Sequence, residues 1–161
     1  PESEAKLKAV QDVRELTVAL KQQIDAGLVS VEQRGDSVIV TVGAGGAFPS
    51  GTSELTGSAR KIIDKIGDVA GDSAGEIVVS GHTDNVPLAF TDQFKDNWDL
   101  AAGRANSVVR ELQKNQDIGG NKLKSVSYGE SRPVASNKTS VNREKNRRIE
   151  IELKYPKGAN Q

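Results

Sequence analysis

The sequence predicts a small two-layer α/β sandwich with a mixed βαβαβ sheet, preceded by an amphipathic helix. Three observations lead there. Apolar residues recur at spacings of three and four in some segments and alternate in others, and after an opening hairpin the two kinds interleave. At 161 residues the chain has room for one domain of roughly 100–150 residues and an appendage. Its 35% hydrophobic content, with 16 glycines, supports a modest core.

Taken in order, residues 2–26 form a charged amphipathic helix. Leu7, Val10, Val13, Leu16, Leu20 and Ile24 mark its apolar stripe, and Gly27 stops it. Val29 and Val31, then Val38, Val40 and Val42, alternate around Gly35-Asp36 as a β-hairpin does. The stretch from Gly43 to Gly51 is too glycine-rich for regular structure. Thr52 or Ser53 then caps a helix reaching about residue 70, whose buried face takes in Leu55, Ala59, Ile62, Ile63 and Ile66. Ile77, Val78 and Val79, an unbroken apolar run, predict a short central strand buried on both faces. A polar loop from Thr83 to Asp96 leads into a helix over 97–114, with Trp98, Ala101, Ala105, Val108, Val109 and Leu112 facing the core. Leu123, Val126 and Tyr128 mark a further strand, a Ser/Asn-rich stretch follows Pro133, and Ile149, Ile151 and Leu153 alternate along the last strand. The expected division is a helical segment at 1–27, a domain at 28–155 and a flexible tail at 156–161.

Composition narrows the function classes. Lys and Arg number 22 against 22 Asp and Glu, so no basic surface is available to select nucleic acid or an anionic membrane. With no cysteine, disulfide scaffolds, zinc knuckles, thiol nucleophiles and iron–sulfur sites are excluded. The absence of methionine predicts a processed form or an excised fragment. No apolar run approaches the roughly 18 residues that span a bilayer, so any membrane anchor is expected outside these residues.

The most informative stretch is Ser80-Gly81-His82-Thr83-Asp84-Asn85, at the C-terminal end of the central strand, where open α/β sheets bind ligands. Gly81 permits close backbone approach and Asp84 stands just beyond the strand. On the following helix, Asn97, Leu100 and Arg104 fall within a sector of about 60° at the rim of the core. Asp84 is an acceptor-only carboxylate and Arg104 a planar five-donor fork. Together they suit a zwitterion, the carboxylate taking an ammonium and the guanidinium a carboxylate. An intramolecular Asp84–Arg104 salt bridge that fixes a loop is the equally weighted alternative. His82, the single histidine, has no serine, cysteine or second histidine at a motif spacing and reads as a hydrogen-bonded structural residue. Asp92, Asp96 and Asp99 lack calcium-loop spacing and read as a solvated acidic loop. Arg143, Lys145, Arg147 and Arg148 are offset by Glu144, Glu150 and Glu152 and read as a solvated strand edge, Arg147 excepted for the reason that follows. No cofactor and no metal is called for.

In order, Gly81-His82-Thr83-Asp84, Leu100 with Arg104-Ala105, Tyr128-Gly129-Glu130, Pro133, Asn137, Arg143 and Asn146-Arg147-Arg148-Ile149-Glu150-Ile151 resemble the signature of OmpA-like peptidoglycan-binding domains over about residues 36–154. The long loop from Asn85-Val86-Pro87 to Asn97-Trp98-Asp99-Leu100, with Phe48-Pro49-Ser50-Gly51-Thr52-Ser53-Glu54-Leu55, is similar to the flagellar stator B subunits of the MotB/PomB type. Two departures stand out. Ala101 occupies a position where most relatives have Ser, and Pro49 replaces an Asp.

The resemblance implies an OmpA-C-like fold and a non-enzymatic anchor that holds the diaminopimelate of a peptidoglycan stem peptide. Asp84 and Arg104 would grip its amino and carboxylate groups, with Thr83, Asn97, Leu100 and Arg147 as supporting contacts. It further implies a periplasmic location, an inner-membrane anchor through one N-terminal transmembrane helix upstream, a homodimer, and as partners a stator A subunit and flagellar ring proteins. Residues 1–27 would be the periplasmic linker helix, packed on their own domain or paired with a second chain. An outer-membrane-associated protein that links envelope to wall without a motor is the alternative, and a wall hydrolase is disfavoured for want of a nucleophile or metal.

Overall fold

A computed structural model describes residues 3–89 and 93–157. Asp92, the first residue of the expected N-terminal helix, Glu2, and the end of the expected tail, 158–161, lie outside the described residues. The elements in chain order are α1 (Glu4–Ala19), α2 (Lys21–Asp25), β1 (Val29–Arg34), β2 (Ser37–Gly43), α3 (Ala44–Ala47), α4 (Gly57–Ala70), β3 (Glu76–His82), α5 (Asn97–Leu112), β4 (Leu123–Gly129), α6 (Ser140–Asn146) and β5 (Arg148–Lys154). The strands form one five-stranded sheet in the order β1-β2-β5-β3-β4. Only the β3–β4 pair, joined through α5, is parallel; the other three pairs are antiparallel. The mixed two-layer sandwich of the sequence is the observed fold.

Alternation sorts the strands' side chains. Val38, Val40, Val42, Ile77, Val79, Ile149, Ile151 and Leu153 are buried in a core shared with Ala59, Ile62, Ile63 and Ile66 of α4 and Ala105, Val108 and Leu112 of α5. On the opposite face Val78 is only half-buried, so β3 is not equally apolar on both sides. The hairpin turns as expected, with Gly35 at φ +65°, a conformation that disfavours any residue with a Cβ.

Several expectations are corrected. The N-terminal helix breaks at Leu20, and its buried line is Ala5, Ala9, Asp12, Leu16 and Leu20, whereas Leu7 is exposed and Val10 and Val13 are half-buried. Small Ala side chains let α1 approach the sheet and α4 closely, and Asp12 is buried because Ser73 Oγ and Tyr155 OH donate to its Oδ2 at 2.6 and 2.7 Å. Thus α1 shares one core with the sheet and α4, and no break in that core marks residue 27. The glycine-rich stretch holds one helical turn, α3, and buries Phe48. The cap of α4 is Thr56, whose Oγ1 accepts from Ala59 N at 3.2 Å, so Leu55 precedes the helix rather than lying on it. On α5, Trp98 is 46% exposed and packs over Gly129, where a Cβ would meet the indole at 2.8 Å. The Ser/Asn-rich stretch contains α6, capped by Thr139. Arg148 is buried because β5 is an inner strand, not a solvated edge; it donates to Glu150 Oε2, Asn146 O and Arg132 O.

Candidate functional site

The site is built where β3 ends. Gly81 packs against α5 so closely that a Cβ there would lie 2.2 Å from the carbonyl oxygen of Ala101. The close approach permitted by Gly81 is therefore made by a helix, and it brings the first turns of α5 beside the strand end. Asp96 caps that helix, accepting Asp99 N at 2.9 Å, and Asp99 accepts Lys95 N at 3.0 Å. Both acids are exposed, as the solvated reading expects, and they also order the helix start.

Beyond β3 the chain is held from several sides. Thr83 N donates to Gly129 O at 2.8 Å, and Thr83 Oγ1 donates to Asp84 O at 2.8 Å. Asn97 Nδ2 donates to Asp84 O and Val86 O at 3.3 and 2.9 Å. Asp84 Oδ1 accepts Val86 N at 3.0 Å, closing a local turn, and its Oδ2 accepts Arg147 Nη1 at 2.6 Å. Asp84 thus has an internal ion pair, but with Arg147, 63 residues away, and not with Arg104.

Arg104 enters from α5. Its Nε donates to Thr52 O at 2.8 Å, and its guanidinium lies over the Phe48 ring, 4.8 Å from the centroid. Among the described residues its terminal amino groups have no partner. Burial, and next the charge of Arg147, pull its pKa down to about 10, so the group stays protonated at neutral pH and is poorly compensated.

Thr83, Asp84, Asn97, Leu100, Arg104 and Arg147, the six residues singled out from the sequence, line one groove of about 610 Å³. Its size falls within the range of small-ligand pockets. The half-open rim position expected for Asn97, Leu100 and Arg104 is corrected, since all three are buried while lining the groove. Ala44, Gly45, Phe48 and the segment Val86-Pro87-Leu88-Ala89 supply an apolar wall to which the sequence analysis assigned no role. Periodicity could not reveal that wall, because it comes from loops and a single helical turn. Among the described residues, the charged groups of the lining are two guanidinium ions and one carboxylate, an excess of one positive charge facing a largely apolar groove. Such a groove suits a ligand with an aliphatic body, a carboxylate for Arg104 and a cation to share Asp84.

His82, on the side of β3 away from α5, is buried, hydrogen-bonded through Nε2 to Ser80 Oγ at 2.9 Å and stacked on Tyr128. Burial, reinforced by the charge of Arg148, lowers its pKa to about 4, so it is neutral at pH 7. Among the described residues, no three His, Cys, Asp or Glu side chains gather as metal ligands.

A family model described as the OmpA family matches residues 47–147, well over half of the chain. Motility protein B of Bacillus subtilis is 43% identical over 83 residues, covering 52% of this chain and 31% of that protein. The chain spans less than half the length of the curated relatives it matches. Among solved structures, the cell wall anchor of the T6SS from Pseudomonas aeruginosa superposes with a TM-score of 0.80 at 29% identity, covering 88% of this chain and 97% of that one. The periplasmic domain of Helicobacter pylori MotB superposes with a TM-score of 0.69 at 29% identity, covering 79% of each chain. The matched segment, 47–147, takes in every lining residue of the groove but Ala44 and Gly45, and with this match over more than half of its length the chain belongs to the OmpA family.

Proposed function

We propose that this chain is the peptidoglycan-binding anchor domain of an ion-driven flagellar stator subunit, fixing the stator to the cell wall. The observation that carries the reading is the groove itself: a buried carboxylate and a buried, under-compensated guanidinium facing a mostly apolar channel. A diaminopimelate stem peptide has the matching chemistry, with the carboxylate on Arg104, the ammonium on Asp84, and Leu100, Phe48 and the 86–89 segment along its methylene chain. Thr83, Asn97 and Arg147 hold Asp84 in place for that contact. The role is binding, not turnover. Affinity for one stem is weak and retention comes from many stems and several copies. The motor context rests on the similarity to Motility protein B and to the MotB periplasmic domain. It carries with it a periplasmic location, an inner-membrane anchor, a homodimer, a stator A subunit and flagellar ring proteins as partners.

The more extensive overlap with the T6SS cell wall anchor favours a second reading, a wall anchor without a motor. Both readings use the same groove, and both predict that Asp84→Asn and Arg104→Ala each abolish co-sedimentation with purified peptidoglycan while keeping a cooperative melt. Pelleting of both variants with the wall at the wild-type level would overturn the site. Restoration of swimming by the full-length protein in a stator-deficient strain separates the two readings.

A further inference from the structure

The loop that presents Asp84 and the helix that presents Arg147 are connected by a chain of asparagines outside the groove lining. Asn146, the last residue of α6, is fully buried and makes four hydrogen bonds. Its Oδ1 accepts Val134 N and Ala135 N at 2.7 and 3.0 Å, and its Nδ2 donates to Ala135 O and Asn137 Oδ1, both at 2.9 Å. That accounts for every donor and acceptor the amide possesses. Asn137 Oδ1 also accepts Asn85 N at 3.3 Å, and Asn137 O accepts Arg143 Nη1 at 3.0 Å. One side-chain carbonyl therefore joins the residue after Asp84 to the residue before Arg147.

We propose that Asn137 is a positioning residue for the binding groove: its Oδ1 sets the separation between the Asp84 loop and α6, and with it the geometry of the Asp84–Arg147 pair. The inference rests on the reading of the groove as a wall-binding site. Two features single out Asn137 over its neighbours. Asn85 is exposed and contributes only a backbone N–H, so its own side chain is not needed. Asn146 is needed by the whole 134–137 segment, so its loss is structural in the ordinary sense. Asn137 is only half-buried, and its side-chain bonds within the fold all converge on Oδ1, the one atom between the two elements. The bond to Asn85 N is long, which makes it the weakest tie and the one whose removal loosens the loop first. Losing it lets the Asp84 loop shift relative to α6, so that the carboxylate is no longer held at the position in the groove from which it meets the ligand.

The test compares wall binding and melting of the wild type, Asp84→Asn, Asn137→Ala and Asn137→Asp, using purified diaminopimelate-type peptidoglycan in co-sedimentation. Asn137→Ala is expected to bind about 5–10-fold more weakly, the loss of roughly one hydrogen bond's worth of positioning, with a cooperative melt at a lower temperature, because the buried Asn146 Nδ2 loses an acceptor. Asn137→Asp keeps the acceptor for both donors and is expected to retain most of the affinity; a merely structural or steric role for Asn137 would show no such rescue. If Asp84→Asn abolishes pelleting while Asn137→Ala binds like the wild type, the positioning role is wrong and the groove stands. Equal losses in Asn137→Ala and Asn137→Asp also overturn it, because the acceptor would then be irrelevant. Undiminished pelleting of Asp84→Asn removes the groove reading and this inference with it. Should Asn137→Ala fail to fold, Asn137→Ser, which also lacks an acceptor at that reach, reads the same quantity.

Discussion

Two buried carboxylates in this protein are almost equally hidden from solvent, Asp12 at 3% exposure and Asp84 at 7%, yet they stand in opposite kinds of surroundings. Asp12, on α1, accepts from two neutral hydroxyls, Ser73 and Tyr155, and ties the N-terminal helix to the far end of the chain. Tyr155 responds accordingly, its pKa raised by burial and by the Asp12 carboxylate it donates to. Asp84 accepts from Arg147 and a backbone amide, with a second guanidinium close by and a groove open in front of it. The first cluster is closed on itself, so its energy goes into the fold. Among the described residues the second has one positive charge in excess and a guanidinium whose terminal amino groups have no partner, the arrangement that the proposed ligand would complete. What separates the two carboxylates is not burial but whether the charges around them are matched among the described residues.

The comparison can be broken most severely at Gly81. Gly81→Ala puts a methyl group into the Ala101 carbonyl and forces α5 off β3, and a loss of about 4 kcal/mol or more is expected, with wall binding lost as well. Chemical denaturation measures it; a near-wild-type midpoint would mean that the helix–strand contact is not tight. Next is Asp12→Ala, which strands the Tyr155 and Ser73 hydroxyls. It should cost about 3 kcal/mol of stability in denaturant melts and leave co-sedimentation with peptidoglycan intact below the melting temperature. Loss of binding in the folded variant would join the two clusters that the structure keeps apart.

The smallest effect concerns His82. Its folded-state pKa of about 4 lies below the ordinary 6.5, so the unfolded chain takes up a proton that the folded one refuses. Stability is therefore complete above pH 6.5 and falls as the pH drops toward 4, by about 3 kcal/mol in all, most of it between pH 7.5 and 4.5, with no further loss from this group below pH 4. His82→Phe keeps a ring against Tyr128 and removes the titration. Its thermal melts between pH 7.5 and 4.5 should have a flatter pH dependence than those of the wild type, though from a lower baseline, since the Ser80 hydroxyl loses its partner.

Much of this was legible beforehand because periodicity reports directly on which face of an element is dry. The hairpin, β3, the core faces of α4 and α5, and the alternation of Ile149, Ile151 and Leu153 follow from it. The failures have physical causes. The stripe of α1 was misread because Ala5 and Ala9 bury little area yet permit close packing, and because a buried Asp12 looks polar until Tyr155, 143 residues on, is brought to it. Helix α6 escaped notice since its seven residues have no apolar face; its cap and the hydrogen bonds of Asn146 define it. Arg148 looked solvated because nothing local says that the last strand inserts between β2 and β3.

By itself the sequence determined that a carboxylate stands just past one strand and an arginine on the helix that follows, with no thiol, metal-ligand motif or basic surface to compete with them. Such facts depend on residue type and short-range spacing, which the chain carries locally. Only the tertiary structure decided that Asp84 pairs with Arg147 rather than with Arg104, whose Nε is held by Thr52 O, and that α1 belongs to the core. Partner choice among buried charges depends on distances between segments 60 or more residues apart, which are settled when the strands take their order in the sheet.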